Sequence, residues 1–251
     1  MLGTQAPGPF MLISCPNLVK SYRVHVADFP CQAGSRSDPV PLDPATHDHG
    51  KWCADVIHGL GLQDTPLLHV GVSLGGGVLI DLARVEPKLI HAAVLVVPAC
   101  VHPHCDTLVG AMYFLITFLW PMLAYRRFPF WWTRRQLFSK LFLDPDSDDD
   151  FTKQMELAFI HLAWYPPRPY KIYKEDFIIS GYSAPTLVVT AKNDVFGDGE
   201  TTAQRALEEF DNCQVLVVDD AHILNESNAL IAHEKIVDFF AGQGFQPAKK
   251  P

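Results

Sequence analysis

The run Pro66-Leu67-Leu68-His69-Val70-Gly71-Val72-Ser73-Leu74-Gly75-Gly76-Gly77-Val78-Leu79-Ile80-Asp81-Leu82-Ala83-Arg84 changes its hydrophobic period at one residue. Before Ser73 the residues are short, apolar and suited to a buried strand. After it, apolar side chains recur at helical spacing. Ser73 therefore stands on a strand-to-helix turn, inside the pentapeptide Gly71-Val72-Ser73-Leu74-Gly75. A serine on such a turn is forced into a strained conformation that pushes its hydroxyl into the open, and flanking glycines let the backbone crowd together. The bland reading is a small residue in a tight turn; the strand before it and the helix after it favour the nucleophile.

Outward from this turn, strand-like runs alternate with helical patterns. The expected strands are Phe10–Ser14, Arg23–Ala27, Leu67–Val72, Ala92–Val97, Thr186–Thr190 and Gln214–Val218, with helices near 46–60, 75–86, 200–210 and 227–241. Such alternation predicts an α/β domain with a mainly parallel sheet covered by helices on both faces. Between Pro103 and Tyr182 the alternation stops, and aromatic-rich helical segments take over, broken by turns such as Tyr165-Pro166-Pro167-Arg168-Pro169. The expected organisation is a core of residues 1–102 and 183–251 with a helical cap inserted at 103–182.

A chain of 251 residues, 48% apolar and 19% charged, has the composition of one globular domain with an insertion. The net charge of −8 argues against nucleic acid as a partner. Six scattered cysteines form no C-x-x-C pair, which suits reduced thiols in a cytoplasmic protein. Leu12-Ile13-Ser14-Cys15 resembles a lipoprotein cleavage box, but no basic residue precedes it and Pro7 and Pro9 interrupt the run, so no signal segment is expected. The almost charge-free stretch Leu108–Leu123 is slightly short for a membrane span and carries Pro121 near its end. It is read as a buried or lid helix, without stable membrane insertion. The basic cluster Arg126-Arg127 and Arg134-Arg135, interleaved with aromatics, is read as part of that lid. His47-x-His49 and His102-Pro103-His104-Cys105 have metal-like spacing but no evident further ligands, so no metal and no cofactor is expected. Asp144–Asp150 lacks the glycine and glutamate of a calcium loop and is read as capping a helix that begins near Phe151.

A serine hydroxyl becomes a good nucleophile only when an imidazole takes its proton and a carboxylate fixes that imidazole's tautomer. Asp194 follows the strand at Thr186–Thr190, and His222 follows the strand at Gln214–Val218. Asp198 or Asp219 are alternatives to Asp194, and His222 has a helix-capping alternative; His69, His91 and His161 lie in apolar runs and read as core or pocket groups.

At this point the chain resembles the α/β-hydrolase superfamily. The resemblance runs from Tyr22 onward and rests on Tyr22-Arg23-Val24-His25-Val26-Ala27-Asp28-Phe29-Pro30, on Gly34-Ser35-Arg36-Ser37-Asp38-Pro39, on the elbow, and on the acid and histidine loops. It implies the α/β-hydrolase fold, a triad of Ser73, Asp194 and His222, and a cap shaping the pocket. The order serine, aspartate, histidine is the order of this fold. In the oxyanion hole, one donor would be the backbone N–H of Leu74. The family's second donor follows an early strand, usually at a His-Gly; here that strand is followed by Cys15-Pro16-Asn17, leaving the N–H of Cys15 or Asn17 as substitutes. The first two strands of the family sheet are also missing from this reading, which makes the expected fold N-terminally shortened. Loss of one oxyanion donor costs about 2.7–4 kcal/mol of transition-state stabilisation.

The expected activity is hydrolysis of a carboxylic ester or related acyl substrate through an acyl-Ser73 intermediate. The cap aromatics Tyr113, Phe114, Phe118, Trp120, Phe130, Trp131, Trp132, Trp164 and Tyr165 suggest a small, mainly apolar substrate, unless they merely pack the cap onto the core. Alternatives are a C–C bond hydrolase, haloperoxidase-type chemistry, or a catalytically impaired homologue that binds a ligand. Serine at the elbow argues against the aspartate-nucleophile members, epoxide hydrolases and haloalkane dehalogenases.

Overall fold

Strand β1 (Leu68–Val72) forms where the short apolar run precedes Ser73, and helix α3 (Leu74–Val85) begins immediately after that residue. The computed structural model of the protein describes residues 16–28, 30, 42–99, 101–102, 108–161 and 182–247. Within these, α1 (Pro16–Ser21) and α2 (Asp48–Gly59) precede β1. Strand β2 (Ala92–Val96) follows α3. A helical segment then runs through α4 (Leu108–Phe114), a π-helical stretch (Leu115–Leu119), α5 (Trp120–Arg127), α6 (Trp131–Leu141) and α7 (Asp150–His161). The chain returns to the sheet at β3 (Thr186–Ala191) and ends with α8 (Gly199–Glu209), β4 (Cys213–Val218) and α9 (Glu226–Gly242).

The described strands form one parallel sheet in the order β1-β2-β3-β4. Period-two alternation sends neighbouring side chains to opposite faces. Ala93, Leu95 and Val188 pack with Val78, Leu82 and Ile57 from α3 and α2 on one face. Ala92, Val94, Leu187 and Val189 pack with Ile236, Phe239 and Phe240 of α9 on the other. A third cluster, built on Met122, Tyr125, Leu137, Phe138 and Phe159, belongs to the helical segment between β2 and β3. The alternation read from the sequence thus forms the two-faced parallel sheet expected.

One expectation fails, one is untested and one is narrowed. Arg23–Ala27 is irregular rather than a strand; it has no ladder partner among the described residues, and Tyr22 and Val26 instead pack against the α9 face. Phe10–Ser14 lies outside the described residues. The Leu108–Leu123 stretch is helical but not buried. Among the described residues, the side bearing Phe118, Pro121, Met122 and Tyr125 is the buried one, while Leu108, Ile116 and Trp120 are 79%, 63% and 68% exposed. The π-helical turn lies just before Pro121, whose missing N–H and ring would otherwise break a regular helix. The acidic run does cap α7: the Asp149 carboxylate accepts the N–H and hydroxyl of Thr152.

His69 on β1 carries a consequence for acid stability. Its Nε2 lies 3.1 Å from the carbonyl of Leu89, and burial pushes the imidazole down from 6.5 to about 4. The unfolded imidazole takes up its proton near the ordinary value, whereas the folded one resists until about 4. Stability from this residue is therefore present above about pH 6.5 and is lost as pH falls toward 4, by roughly 2–3 kcal/mol. His49 and His233 are pushed in the same direction by burial. Urea unfolding at pH 7.5 and 4.5 should show a smaller loss for His69→Gln than for the native chain; equal losses would sink this assignment.

Candidate active site

Parallel register aligns the C-terminal ends of the strands. Val72 pairs with Val96, Val96 with Val189, and Ala191 with Val218. The loops that follow β1, β3 and β4 consequently meet at one edge of the sheet, the usual place for sites in open α/β folds. Ser73 follows β1 directly, Asp194 lies three residues beyond β3, and His222 four beyond β4.

Ser73 has φ 52° and ψ −117°, a conformation that L residues rarely adopt. The strain is held in place by the backbone. Ser73 N–H donates to the Val96 carbonyl at 2.9 Å, and the Ser73 carbonyl accepts from Gly76 N–H at 3.0 Å and Ala99 N–H at 2.9 Å. Glycine is required beside it for want of space: a Cβ on Gly71 would stand 2.5 Å from the Gly75 carbonyl oxygen, and one on Gly76 would stand 2.8 Å from Pro98 Cβ. Leu74 opens α3, and the first N–H groups of a helix have no intrahelical acceptor. Val97, at the end of β2, also has positive φ (40°), unusual for a β-branched residue.

The three loops converge on a hydrogen-bonded chain. His222 Nε2 is 3.0 Å from Ser73 Oγ, and His222 Nδ1 is 2.8 Å from Asp194 Oδ2. The arrangement fits a neutral imidazole whose Nδ1–H donates to the carboxylate while Nε2 accepts from the serine hydroxyl. His222 and Asp194 side chains are 11% and 9% exposed. The second carboxylate oxygen, Asp194 Oδ1, accepts the Phe196 N–H at 2.9 Å, so both oxygens are engaged.

The rival acids have other partners. Asp198 accepts from Glu200 and Thr201 N–H as the N-cap of α8 and lies 3.7 Å from His102. Asp219 lies 3.4 Å from the Asn193 side-chain amide. Of the histidines with metal-like spacing, His47 and His102 face carboxylates, and His104 with Cys105 lies outside the described residues. His47 Nδ1 is 2.7 Å from Asp81, which accepts Gly50 N–H as well, and among the described residues no cluster has a metal-ligating arrangement. His91 is exposed and accepts Leu67 N–H, unlike the buried group expected. Cys15, Trp164, Tyr165 and the Gly34–Pro39 loop lie outside the described residues, as does the side chain of His161. Of the other cap aromatics, Phe118 is buried, whereas Tyr113, Phe114, Trp120, Phe130, Trp131 and Trp132 are 40–74% exposed. Phe114 meets Phe118 and Phe196, and Phe130 stacks on Trp132.

Three residues that the sequence reading did not assign to the site lie against it. Phe196 stands edge-on to the His222 ring with centroids 4.5 Å apart, and it also touches Phe114 and Phe118 of the helical segment. Asp220 is fully buried and accepts the N–H groups of Ala221 and Asn225 and the side-chain amide of Asn228, fixing the loop that carries His222. His102 packs so closely on Gly197 that a Cβ there would come within 2.4 Å of its ring. Only the buried acid beside a histidine gave any local signal, through the pair Asp219-Asp220; the aromatic and His102 contacts are made across the fold.

The protein belongs to the α/β-hydrolase family, whose model matches residues 10–234. Among solved structures, naproxen esterase from Bacillus subtilis is similar over 96% of this chain and 81% of its own, at 18% identity and a TM-score of 0.74. A carboxylesterase from the same organism matches 96% of this chain and 82% of its own, at 17% identity and a TM-score of 0.72. A variant of a meta-cleavage product hydrolase matches 96% and 90%, at 19% identity and a TM-score of 0.71. At these identities the likeness is one of fold. No curated protein matches the chain by sequence.

Proposed function

We propose that the protein is a serine hydrolase that cleaves a carboxylic ester, or a related acyl substrate, through an acyl-Ser73 intermediate. The observation that carries this reading is the chain Ser73 Oγ–His222 Nε2–Asp194, with 3.0 and 2.8 Å contacts, built on a strained turn. In the first half-reaction, Ser73 Oγ attacks the ester carbonyl while His222 takes its proton; the imidazolium then protonates the departing alcohol. In the second, a water loses its proton to His222 and attacks the acyl carbon, releasing the carboxylic acid and restoring the serine. Asp194 holds the imidazole in the needed tautomer and stabilises its charged form. Leu74 N–H serves as one oxyanion donor, with Cys15 N–H as the candidate second.

The helices between β2 and β3 serve as a cap. Support comes from Val195, Phe196 and Ile223, which flank Asp194 and His222 and pack into the helical cluster, and from the 2.8 Å bond of Ile223 N–H to the Leu141 carbonyl. The apolar contacts at Phe196 favour a mainly apolar acyl or alcohol portion.

A fluorophosphonate probe tests the nucleophile: peptide mass mapping should place one phosphonyl adduct on Ser73, and the absence of any adduct would sink the reading. A panel of p-nitrophenyl esters then tests the substrate class. The fold likeness to a meta-cleavage product hydrolase keeps C–C bond hydrolysis as the second reading. Hydrolysis of a vinylogous diketone without ester turnover would reverse the order.

A further inference from the structure

We propose that the helix Leu108–Arg127, with the turn that follows it to Trp132, lies in the plane of a phospholipid bilayer containing anionic lipid and anchors the protein there peripherally. Its 20 residues are long and apolar enough to cross a membrane, and only about a quarter of its most apolar window (24%) is buried. A helix of that length extends about 30 Å. Leu108, Val109, Ile116, Trp120 and Trp131 are each more than 60% exposed, too much contiguous apolar surface to leave in water without cause.

The chemistry of the face selects lipid over water or a polar partner. Residues 108–143 contain three tryptophans, five basic residues and not one acid, in a chain whose net charge is −8. Aromatic side chains beside arginines at the edge of an apolar helix are the composition of an interfacial membrane helix. Arg127 is exposed beside Phe128, with its guanidinium 4.7 Å from that ring. The acids that follow, Asp144–Asp150, are turned onto their own helices: Asp146 lies 3.7 Å from Arg135, Asp148 lies 3.0 Å from Lys153, and Asp149 caps α7. Anionic headgroups would meet the arginines at the C-terminal end of α5 and gain there electrostatically.

The helix is held in the plane rather than across the bilayer. Phe118 and Tyr125 pack edge-on to Phe159 and Phe138, and the Tyr125 hydroxyl donates to the Glu156 carboxylate. One side is thus committed to protein along its second half, leaving the other for the acyl boundary.

Co-sedimentation of the full chain with phosphatidylcholine vesicles, with and without phosphatidylserine, tests this. The native chain should pellet with both, more strongly with phosphatidylserine and less strongly at high salt. The triple variant Ile116→Ser, Trp120→Ser, Trp131→Ser should lose at least about tenfold in partitioning, whereas Leu207→Ser, exposed on α8, should bind as the native chain does. Arg126→Gln with Arg127→Gln should remove the phosphatidylserine preference. Tryptophan quenching of the native chain by bromine-labelled acyl chains supplies a readout that needs no variant. Ser73→Ala should bind vesicles normally, which separates this proposal from the hydrolase reading. Absence of native co-sedimentation, unchanged partitioning of the triple variant, or a native dimer that the triple variant dissolves without any vesicle binding would overturn it.

Discussion

Ser73→Ala should abolish fluorophosphonate labelling and lower ester turnover by about 10⁴-fold or more, with little change in thermal stability. The size follows from what the hydroxyl does: without Oγ no acyl-enzyme forms, and only whatever binding and oxyanion stabilisation remain can assist direct attack by water. The unchanged stability follows from the backbone. Alanine keeps the Cβ, so the turn at φ 52°, ψ −117° is as strained as before, and the three backbone hydrogen bonds that hold it remain. Ser73→Gly sharpens the test. It should lose the same activity while gaining about 1 kcal/mol in folding stability, because relief of a strain of about 1–3 kcal/mol outweighs the greater freedom of an unfolded glycine. Melting curves beside kcat/KM decide it. A Gly variant less stable than the native chain would mean the turn stores no strain.

The elbow was legible because every signal for it is local: an apolar run, a serine, crowded glycines and a helical period follow within twenty residues. The acid and histidine loops were legible for a related reason, since each closes a strongly apolar strand and parallel strands deliver their loop ends to one edge. The choice among Asp194, Asp198 and Asp219 was not settled locally. All three sit in loops, and only the path of the chain sends Asp194 to His222 while turning Asp198 onto the α8 N-terminus. Helix 108–127 shows the limit from the other side. Its composition gives the helix, which runs on to Arg127 beyond the Leu108–Leu123 stretch read, but an apolar pattern states a need for a partner without naming one. Most of that surface is exposed, so of the two readings, a buried or a lid helix, burial failed there. Arg23–Ala27 failed for the complementary reason: alternating residues suit a strand, yet a strand requires a neighbour to pair with, and none pairs with it among the described residues.

Asp194→Asn should cut kcat by about 10⁴-fold while leaving the fold intact, a loss of the size known for the same change in serine-protease triads. The two oxygens of Asp194 have different partners, and that asymmetry determines the outcome. Oδ1 accepts the Phe196 N–H, and Oδ2 faces His222 Nδ1. An asparagine has one acceptor end and one donor end. Phe196 N–H can only donate, so the amide oxygen stays with it and the NH₂ group turns toward His222. Nδ1 must then accept, the ring proton moves to Nε2, and Nε2–H is presented to Ser73 Oγ, where an acceptor is needed to take its proton. The side chains keep their places, but the tautomer is wrong for general-base catalysis. Asp198→Asn keeps the α8 cap acceptor and does not touch His222, and Asp219→Asn changes an acid whose oxygen meets the Asn193 amide. Both should retain kcat within about threefold, under 1 kcal/mol of barrier. Steady-state kinetics of the three variants on one p-nitrophenyl ester separates them. A collapse in Asp219→Asn with a near-native Asp194→Asn would transfer the acid's role and show that the Phe196 N–H does not fix which way the amide points.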